Sequence, residues 1–187
     1  MISILGHHGT EHAAALSILR SGFRKSIGDS EWLGDGVYFF VDGLNAVQTT
    51  TLAQDWAKCS AWDNRTKNYK YQNYAIIQST IKVEKCNFLD LTTSEGIEVL
   101  SYLVEKYEEK LKTISKKVTF YDGSLLNLAR NENILPLEVV KGNFFIKFEK
   151  ERIKRVNLRT SNCTICSVYS PNKVIFSNSI IKTGSIL

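Results

Sequence analysis

The 187-residue sequence has no long apolar run and contains little proline, histidine or cysteine. A membrane-spanning helix needs roughly 18 to 20 consecutive apolar residues, and none of the runs approaches that length. The first ten residues, MISILGHHGT, also lack the basic region and apolar core of a signal peptide. We therefore expect a cytoplasmic protein that does not associate with a membrane.

Cysteine is too sparse and too unevenly spaced to indicate a disulfide framework. The four cysteines are Cys59, Cys86, Cys163 and Cys166. We expect reduced thiols, because a chain of this length can bury a core without cross-links. The C-x-x-C pair could join His8 and His12, one helical turn apart, in a zinc site. We favour a protein without a metal, since a lone C-x-x-C in an alternating strand usually belongs to a core.

The hydrophobic content of 43% predicts one folded domain over residues 1–187. A helix is expected after an N-cap at Thr10 and ends at Gly22, and further helices are expected at 44–62, 96–117 and 124–131. Strands are expected at 37–41, 75–83, 86–91, 137–140, 142–148, 152–158, 163–169 and 173–181. This pattern, with most strands late in the chain, indicates an α+β fold with an antiparallel sheet.

Charge is distributed unevenly along the chain. Residues 1–63 carry 4 basic and 7 acidic side chains, a net charge of −3, and residues 64–187 carry 20 and 12, a net charge of +8. The densest basic run comprises Lys147, Lys150, Lys154, Arg152, Arg155 and Arg159. Such a run either contacts nucleic-acid phosphates or forms a solvated surface.

Three tyrosines among lysines could also contact nucleic acid. Tyr69, Tyr71 and Tyr74 are interleaved with Lys67 and Lys70, a mixture that could stack on unpaired bases. The alternative, which we favour, is an exposed loop that leads into a strand.

All three histidines lie at positions 7 to 12, and seven of the eleven glycines lie within residues 1–43. His8-Gly9-Thr10 and the later Gly36-Val37-Tyr38 together suggest a slot for a planar ligand. Glycine permits close backbone approach, imidazole can bond a hydroxyl, and a tyrosine ring offers a stacking face. We assign no chemical role to His7 or His12.

These motifs resemble the ADP-ribosyltransferases of the poly(ADP-ribose) polymerase and diphtheria-toxin type. The matching features are H-G-T, an apolar helix ending in Gly22-Phe23, then W-L-G-x-G-V-Y-F-F, and a downstream A-x-x-W-A at 53–57. They cover residues 5–60, about a third of the chain. The resemblance implies a split β-sheet with peripheral helices that binds NAD in an extended cleft.

The resemblance also implies a role for each matching residue. The backbone of Gly9 would hold the nicotinamide carboxamide, His8 would bond the adjacent ribose, and Tyr38 would stack on the nicotinamide ring. Thr10 would contact the ribose or cap the helix, and Gly36 would adjoin the NAD. Cleavage of the nicotinamide–ribose bond followed by attack of an acceptor needs orientation and electrostatic stabilisation and no metal.

The family's third motif residue, often a glutamate on a late strand, has no direct counterpart, because no glutamate follows Glu151. Depending on the register, the position falls on Thr164, on Lys173 or on the neighbouring Asn172. A lysine is a poor replacement beside a developing positive charge, whereas threonine or asparagine can bond a ribose hydroxyl. Formation of poly(ADP-ribose) chains is therefore not expected.

The favoured function is transfer of a single ADP-ribose to a macromolecular acceptor, either nucleic acid, with RNA as one candidate, or protein. A role as an intracellular toxin or defence effector follows by family analogy, and an antitoxin protein is a possible partner. NAD hydrolysis alone and a degenerate NAD-binding module remain open. A non-enzymatic nucleic-acid-binding domain with a basic C-terminal surface is the alternative from another class.

Overall fold

The computed structural model describes residues 1–28, 31–113, 122–148 and 161–186. The strands are β1 Ile2–Glu11, β2 Val37–Val41, β3 Trp62–Asp63, β4 Asn68–Tyr69, β5 Asn73–Val83, β6 Phe88–Asp90, β7 Val139–Phe144, β8 Cys163–Val168 and β9 Ile175–Ser185. The helices are α1 His12–Ser21, α2 Thr49–Ala61, α3 Ser94–Thr113, α4 Asp122–Asn131 and the one-turn α5 Pro171–Val174. The expected strand at 152–158 and most of the basic run lie outside the described residues.

Within the described ranges, seven strands form one sheet in the order β6-β7-β8-β2-β1-β5-β9, and β3 and β4 form a separate hairpin. The pairings in the large sheet are antiparallel except for β6–β7, which is parallel. The expected α+β class with a largely antiparallel sheet is therefore confirmed. No helix in the described part of the chain is long and apolar enough to cross a membrane.

The sheet has an apolar core on each face, because successive side chains of a strand point to opposite sides. In β2, Phe40 belongs to the core beneath α2, α3 and α4, which we call the α2 face. Val37, Phe39 and Val41 belong to the core beneath α1 and α5, which we call the α1 face. The compact run VYFFV is therefore buried on both sides and needs no polar alternation.

The sheet opens between its central strands β1 and β2. These strands pair at Gly6–Val41 and His7–Phe40. From His8 onward, β1 keeps only its pairing with β5, and β2 before Phe40 is paired only with β8. We call this divergence of β1 and β2 the fork.

Several expectations about the local structure are wrong. Thr10 is not a helix cap: it lies in β1 opposite Ala75, and α1 begins two residues later, after Glu11. Lys173 lies in α5 rather than in the last strand, which begins at Ile175. The end of α1 at Gly22 is confirmed, where φ is +82° and the amide bonds the Ile18 carbonyl.

Candidate functional site

A cavity of about 370 Å³ lies at the fork, within the range typical of small-molecule sites. Its wall includes His8 and Gly9 from β1, Gly36 just before β2, and Tyr38 from β2. The two segments that the sequence singled out therefore meet at one cavity, although 26 residues of chain lie between Gly9 and Gly36. Thr10 is not among the residues that line it.

His8 is held in one tautomer by the neighbouring strand. Its Nδ1 lies 2.8 Å from the carbonyl oxygen of Tyr38, and because a carbonyl only accepts, Nδ1 carries the proton. Burial lowers the pKa of His8 below the ordinary 6.5, and this outweighs the opposing effect of that hydrogen bond. The imidazole is therefore neutral at pH 7, with Nε2 available as an acceptor.

The His8 ring is also fixed by packing. It meets Phe23 edge-on at a centroid distance of 5.3 Å and Phe39 at 5.7 Å. Phe23 and Phe39 belong to the core on the α1 face, whereas Tyr38 packs against the core on the α2 face. The imidazole and the phenol thus lie on opposite sides of the sheet, and both line the cavity at the fork.

Tyr38 is anchored through its hydroxyl group. The hydroxyl accepts a hydrogen bond from the Leu33 amide at 2.9 Å and donates one to the Gly34 carbonyl at 2.8 Å. Burial raises the pKa of Tyr38, and the negative charge of Glu31 acts in the same direction. The phenol is therefore neutral and its ring is fixed at both ends.

The segment 32–36, WLGDG, forms one edge of the cavity and is tied to the rest of the fold. We call it the WLGDG loop. The Tyr169 hydroxyl donates to the Leu33 carbonyl at 2.5 Å, and Asn127 of α4 accepts from the Asp35 amide at 2.9 Å. Gly34 has φ of +76°, a conformation that favours glycine. These bonds hold the loop, and with it the Tyr38 hydroxyl, in place.

The glycines at the cavity have packing roles of their own. A Cβ on Gly9 would lie 1.8 Å from the carbonyl oxygen of Ala53 in α2. A Cβ on Gly36 would lie 2.1 Å from Ser167 Oγ. Gly9 therefore requires glycine whether or not a ligand binds, whereas a larger residue at Gly36 would first have to displace the Ser167 hydroxyl. Close backbone approach to a ligand is an additional use of the same residues.

Two tryptophans line the cavity and were given no role by the sequence. Trp32 begins the WLGDG loop and Trp56 lies on α2, with their ring centroids 6.5 Å apart. Trp32 also stacks on Phe144 at 5.3 Å and 18°, while Trp56 is 39% exposed. The A-x-x-W-A motif includes Trp56 and was the sequence feature that could have identified it.

Charged and hydroxyl groups lie along the wall after α1. Arg24, Ser26 and Glu31 all line the cavity, and Ser26 Oγ donates to Glu31 Oε1 at 2.5 Å. The Ser26 amide bonds the Gly36 carbonyl at 2.9 Å, which joins this segment to the start of β2. The cavity therefore offers a cation and a carboxylate beside its aromatic groups.

The candidates for the third motif residue lie away from the cavity. Thr164 is fully buried in β8; its hydroxyl donates to Asn143 Oδ1 at 2.7 Å and accepts from the Leu44 amide at 2.8 Å. Lys173 projects from α5 and forms an ion pair with Glu138. Neither these residues nor Asn172 line the cavity. The neighbour of Thr164 that does so is Ile165, which has no polar group.

The positions of His8, His12, Cys163 and Cys166 do not fit a shared zinc site. His8 lies in β1 and α1 begins at His12, so the two are not one helical turn apart. Cys163 and Cys166 belong to the cores on opposite faces of the sheet, as a separation of three requires in a strand. No group of three or more potential metal ligands occurs among the described residues.

His7 has satisfied side-chain contacts. Its Nδ1 lies 2.9 Å from Thr49 Oγ1 of α2 and its Nε2 lies 3.3 Å from Gln78 Oε1 of β5. The residue is buried and is among those that line the cavity. These bonds join β1 to α2 and β5, which is a structural role.

Two of the three tyrosines proposed as base-stacking platforms are packing residues. Tyr74 is buried in the core on the α2 face, and the Tyr71 hydroxyl donates to the Ala57 carbonyl at 2.5 Å. Tyr69 lies in the β3–β4 hairpin, edge-on to Trp62 at 5.1 Å. The segment is therefore a short hairpin followed by the start of β5, and the stacking interpretation is wrong for Tyr71 and Tyr74.

Comparison with known proteins finds a partial similarity. A protein from Methanocaldococcus jannaschii, described as uncharacterized, is 32% identical over 90 residues, which is 48% of this chain and 37% of that protein. The chain thus matches little more than a third of its relative's length. No family model matches the sequence.

Proposed function

We propose that this protein is an NAD-dependent mono-ADP-ribosyltransferase with the split-sheet fold of the poly(ADP-ribose) polymerase and diphtheria-toxin type. The observation that carries the proposal is the cavity at the fork, whose wall combines His8 and Gly9 of β1 with Tyr38 of β2. The divergence of β1 and β2 after two residue pairs supports the split sheet.

His8 is suited to recognise a ribose hydroxyl of NAD. Because Nδ1 is occupied by the Tyr38 carbonyl, the neutral ring presents Nε2 as an acceptor, and a hydroxyl is a matching donor. A neutral imidazole also adds no positive charge to a site where the sugar becomes cationic. The lowered pKa of His8 and its hydrogen bond to Tyr38 thus both favour a neutral imidazole that accepts a hydrogen bond from the ribose.

The aromatic groups are suited to hold the nicotinamide ring. Tyr38 and Trp56 line the cavity from β2 and α2, respectively, and aromatic faces bind planar heterocycles and positively charged rings. The Tyr38 hydroxyl bonds within the WLGDG loop, so its ring needs no ordering when a ligand arrives. Arg24 at the cavity wall supplies a positive charge for the phosphates of the dinucleotide.

The reaction breaks the bond between nicotinamide and ribose, and the positively charged nicotinamide leaves as a neutral molecule. The residues of the cavity orient the two halves and stabilise the sugar cation, and such positioning supplies much of the rate in enzymes of this kind. We propose one transfer per acceptor, made to nucleic acid or protein, in the setting of a toxin or defence effector. The net charge of +8 over residues 64–187 favours a nucleic-acid acceptor.

The test is release of nicotinamide from labelled NAD by the purified protein, with a cell lysate as the source of acceptors. We expect release by the unaltered protein and loss of about 100-fold or more for His8→Ala and Tyr38→Ala, because each removes a group that orients the substrate. His12→Ala and Tyr102→Ala are matched controls, since neither residue lines the cavity.

Digestion of the labelled lysate with nuclease or protease then identifies the acceptor. Label that disappears with nuclease assigns nucleic acid, and label that disappears with protease assigns protein. A protein that binds NAD without releasing nicotinamide, or that ignores NAD and binds nucleic acid alone, would contradict the proposal.

A further inference from the structure

The carboxylate that the family places on a late strand has a replacement elsewhere in this chain. We infer that Glu31, at the entrance to the WLGDG loop, is the acidic group of the transfer reaction, an inference that rests on the proposed function. Among the described residues that line the cavity, Glu31 is the one with a carboxylate. Thr164, Asn172 and Lys173 do not reach the cavity.

The Glu31 carboxylate is positioned by its neighbours. Ser26 Oγ donates to Oε1 at 2.5 Å, and Ser26 is itself bonded through its backbone to Gly36. One carboxylate oxygen is thereby fixed, and Oε2 provides a second acceptor. The side chain is half-buried, so the carboxylate is reachable from solvent as well as from the cavity.

The backbone of Glu31 is equally constrained. A Cβ on Gly123, at the start of α4, would lie 1.7 Å from the Glu31 carbonyl oxygen, so helix and loop are in direct contact. Glu31 and Tyr38 both line the cavity. The carboxylate therefore belongs to the site in which the nicotinamide–ribose bond is proposed to break.

In the proposed step, the bond between the anomeric carbon and the nicotinamide nitrogen breaks, and both electrons remain on that nitrogen. A lone pair of the acceptor forms the new bond to the anomeric carbon. The acceptor proton passes to the Glu31 carboxylate and then to water. The negative carboxylate also stabilises the positive charge that develops on the sugar in the transition state.

Glu31→Gln tests this role because glutamine keeps an oxygen for Ser26 and removes the charge. We expect the kcat for nicotinamide release to fall about 100-fold or more, as for loss of a general base, while NAD affinity changes less than about threefold. Affinity is measured by quenching of the fluorescence of Trp32 and Trp56. Glu98→Gln, an exposed position on α3, is the matched control.

Chemical rescue separates chemistry from structure. Glu31→Ala leaves room beside Ser26 for a small acid, so added formate should restore part of the lost rate, and Glu31→Asp should retain more rate than Glu31→Gln. If Glu31→Gln does not fold, Ser26→Ala takes its place and should lower kcat by about tenfold through the loss of one hydrogen bond to a charged group.

The outcomes distinguish the two proposals. A wild-type protein that releases nicotinamide at the same rate as Glu31→Gln refutes the role of Glu31 and leaves the proposed function intact. Loss of NAD affinity equal to the loss of rate also refutes it, because Glu31 would then serve binding alone. A wild-type protein without NAD turnover refutes the proposed function itself.

Discussion

The contact between Gly9 and α2 predicts a large penalty for adding a single methyl group. In Gly9→Ala, the new Cβ would lie 1.8 Å from the Ala53 carbonyl oxygen, whereas ordinary contacts begin at 3.4 Å. The obstacle is helix backbone, so α2 must retreat by about 1.6 Å, the difference between these distances. Leu52, Ala53 and Ala57 of α2 are almost fully buried, and their packing would loosen with the helix.

The magnitude follows from two opposing terms. Overpacking of a tight core costs about 1 to 3 kcal/mol, and backbone contact favours the upper end of that range. Replacement of glycine by alanine in a strand stabilises the fold by about 0.5 to 1 kcal/mol, because alanine loses less conformational entropy on folding. We therefore expect the free energy of unfolding to fall by about 2 kcal/mol, which in a chain of this size lowers the melting temperature by about 4 to 8 °C.

Urea denaturation followed by circular dichroism measures the change, and Gly28→Ala is the matched control. A Cβ on Gly28 would have no atom within 4 Å, so this variant should stay within about 0.5 kcal/mol of wild type. Gly9→Ala with wild-type stability would show that α2 does not press on β1 at this point. The described origin of the glycine requirement would then be wrong.

Three further predictions concern the site and the cores. Tyr38→Phe leaves the buried Leu33 amide without its partner, so urea denaturation should show a loss of about 1 to 3 kcal/mol. The pKa of His8 is lowered from 6.5 in the folded protein, so below pH 6.5 the unfolded state binds more protons than the folded state. The free energy of unfolding should therefore fall as the pH decreases from 6.5 to the folded pKa. His8→Asn should remove this dependence. Burial raises the pKa of Cys166 to about 12, so mass spectrometry after brief alkylation at pH 8 should show the exposed Cys86 modified first. Early modification of Cys166, or an unchanged pH dependence in His8→Asn, would contradict these assignments.

Elements with local signals in the sequence are well predicted. Gly22 ends α1 with positive φ, and the apolar stripe that predicts a helix at 96–117 corresponds to α3, described from Ser94 to Thr113. Both depend on residues within a few positions of one another. The strand VYFFV is likewise compact, apolar and bounded by glycine.

Strand β1 escapes prediction because its residues are poor strand formers. Gly6, His7, His8 and Gly9 give no alternation of apolar and polar side chains, and the strand is held instead by pairing with β5 along its whole length. Once β1 extends to Glu11, Thr10 cannot cap α1. That is a tertiary effect that no local pattern contains.

Some residues of the candidate site could likewise be predicted from local motifs, and others could not. The motifs identify His8, Gly9, Gly36 and Tyr38, all of which line the cavity. The sequence alone does not fix which late-strand residue corresponds to the family's carboxylate. Of the two candidates, Thr164 forms a buried hydrogen bond and Lys173 forms a surface ion pair. Glu31 carries no sequence signal as a site residue, because its proximity to the cavity arises from the contact of the WLGDG loop with α4.

The adjacent histidines of β1 have a consequence for evolution by insertion. One extra residue before His7 would move His7 into the place of His8, so an imidazole would still face Phe23. The same shift would move His8 into the place of Gly9, where even a methyl group meets the Ala53 carbonyl. Two adjacent histidines therefore do not make β1 tolerant of a one-residue shift in register, because Gly9 fixes the register of the strand.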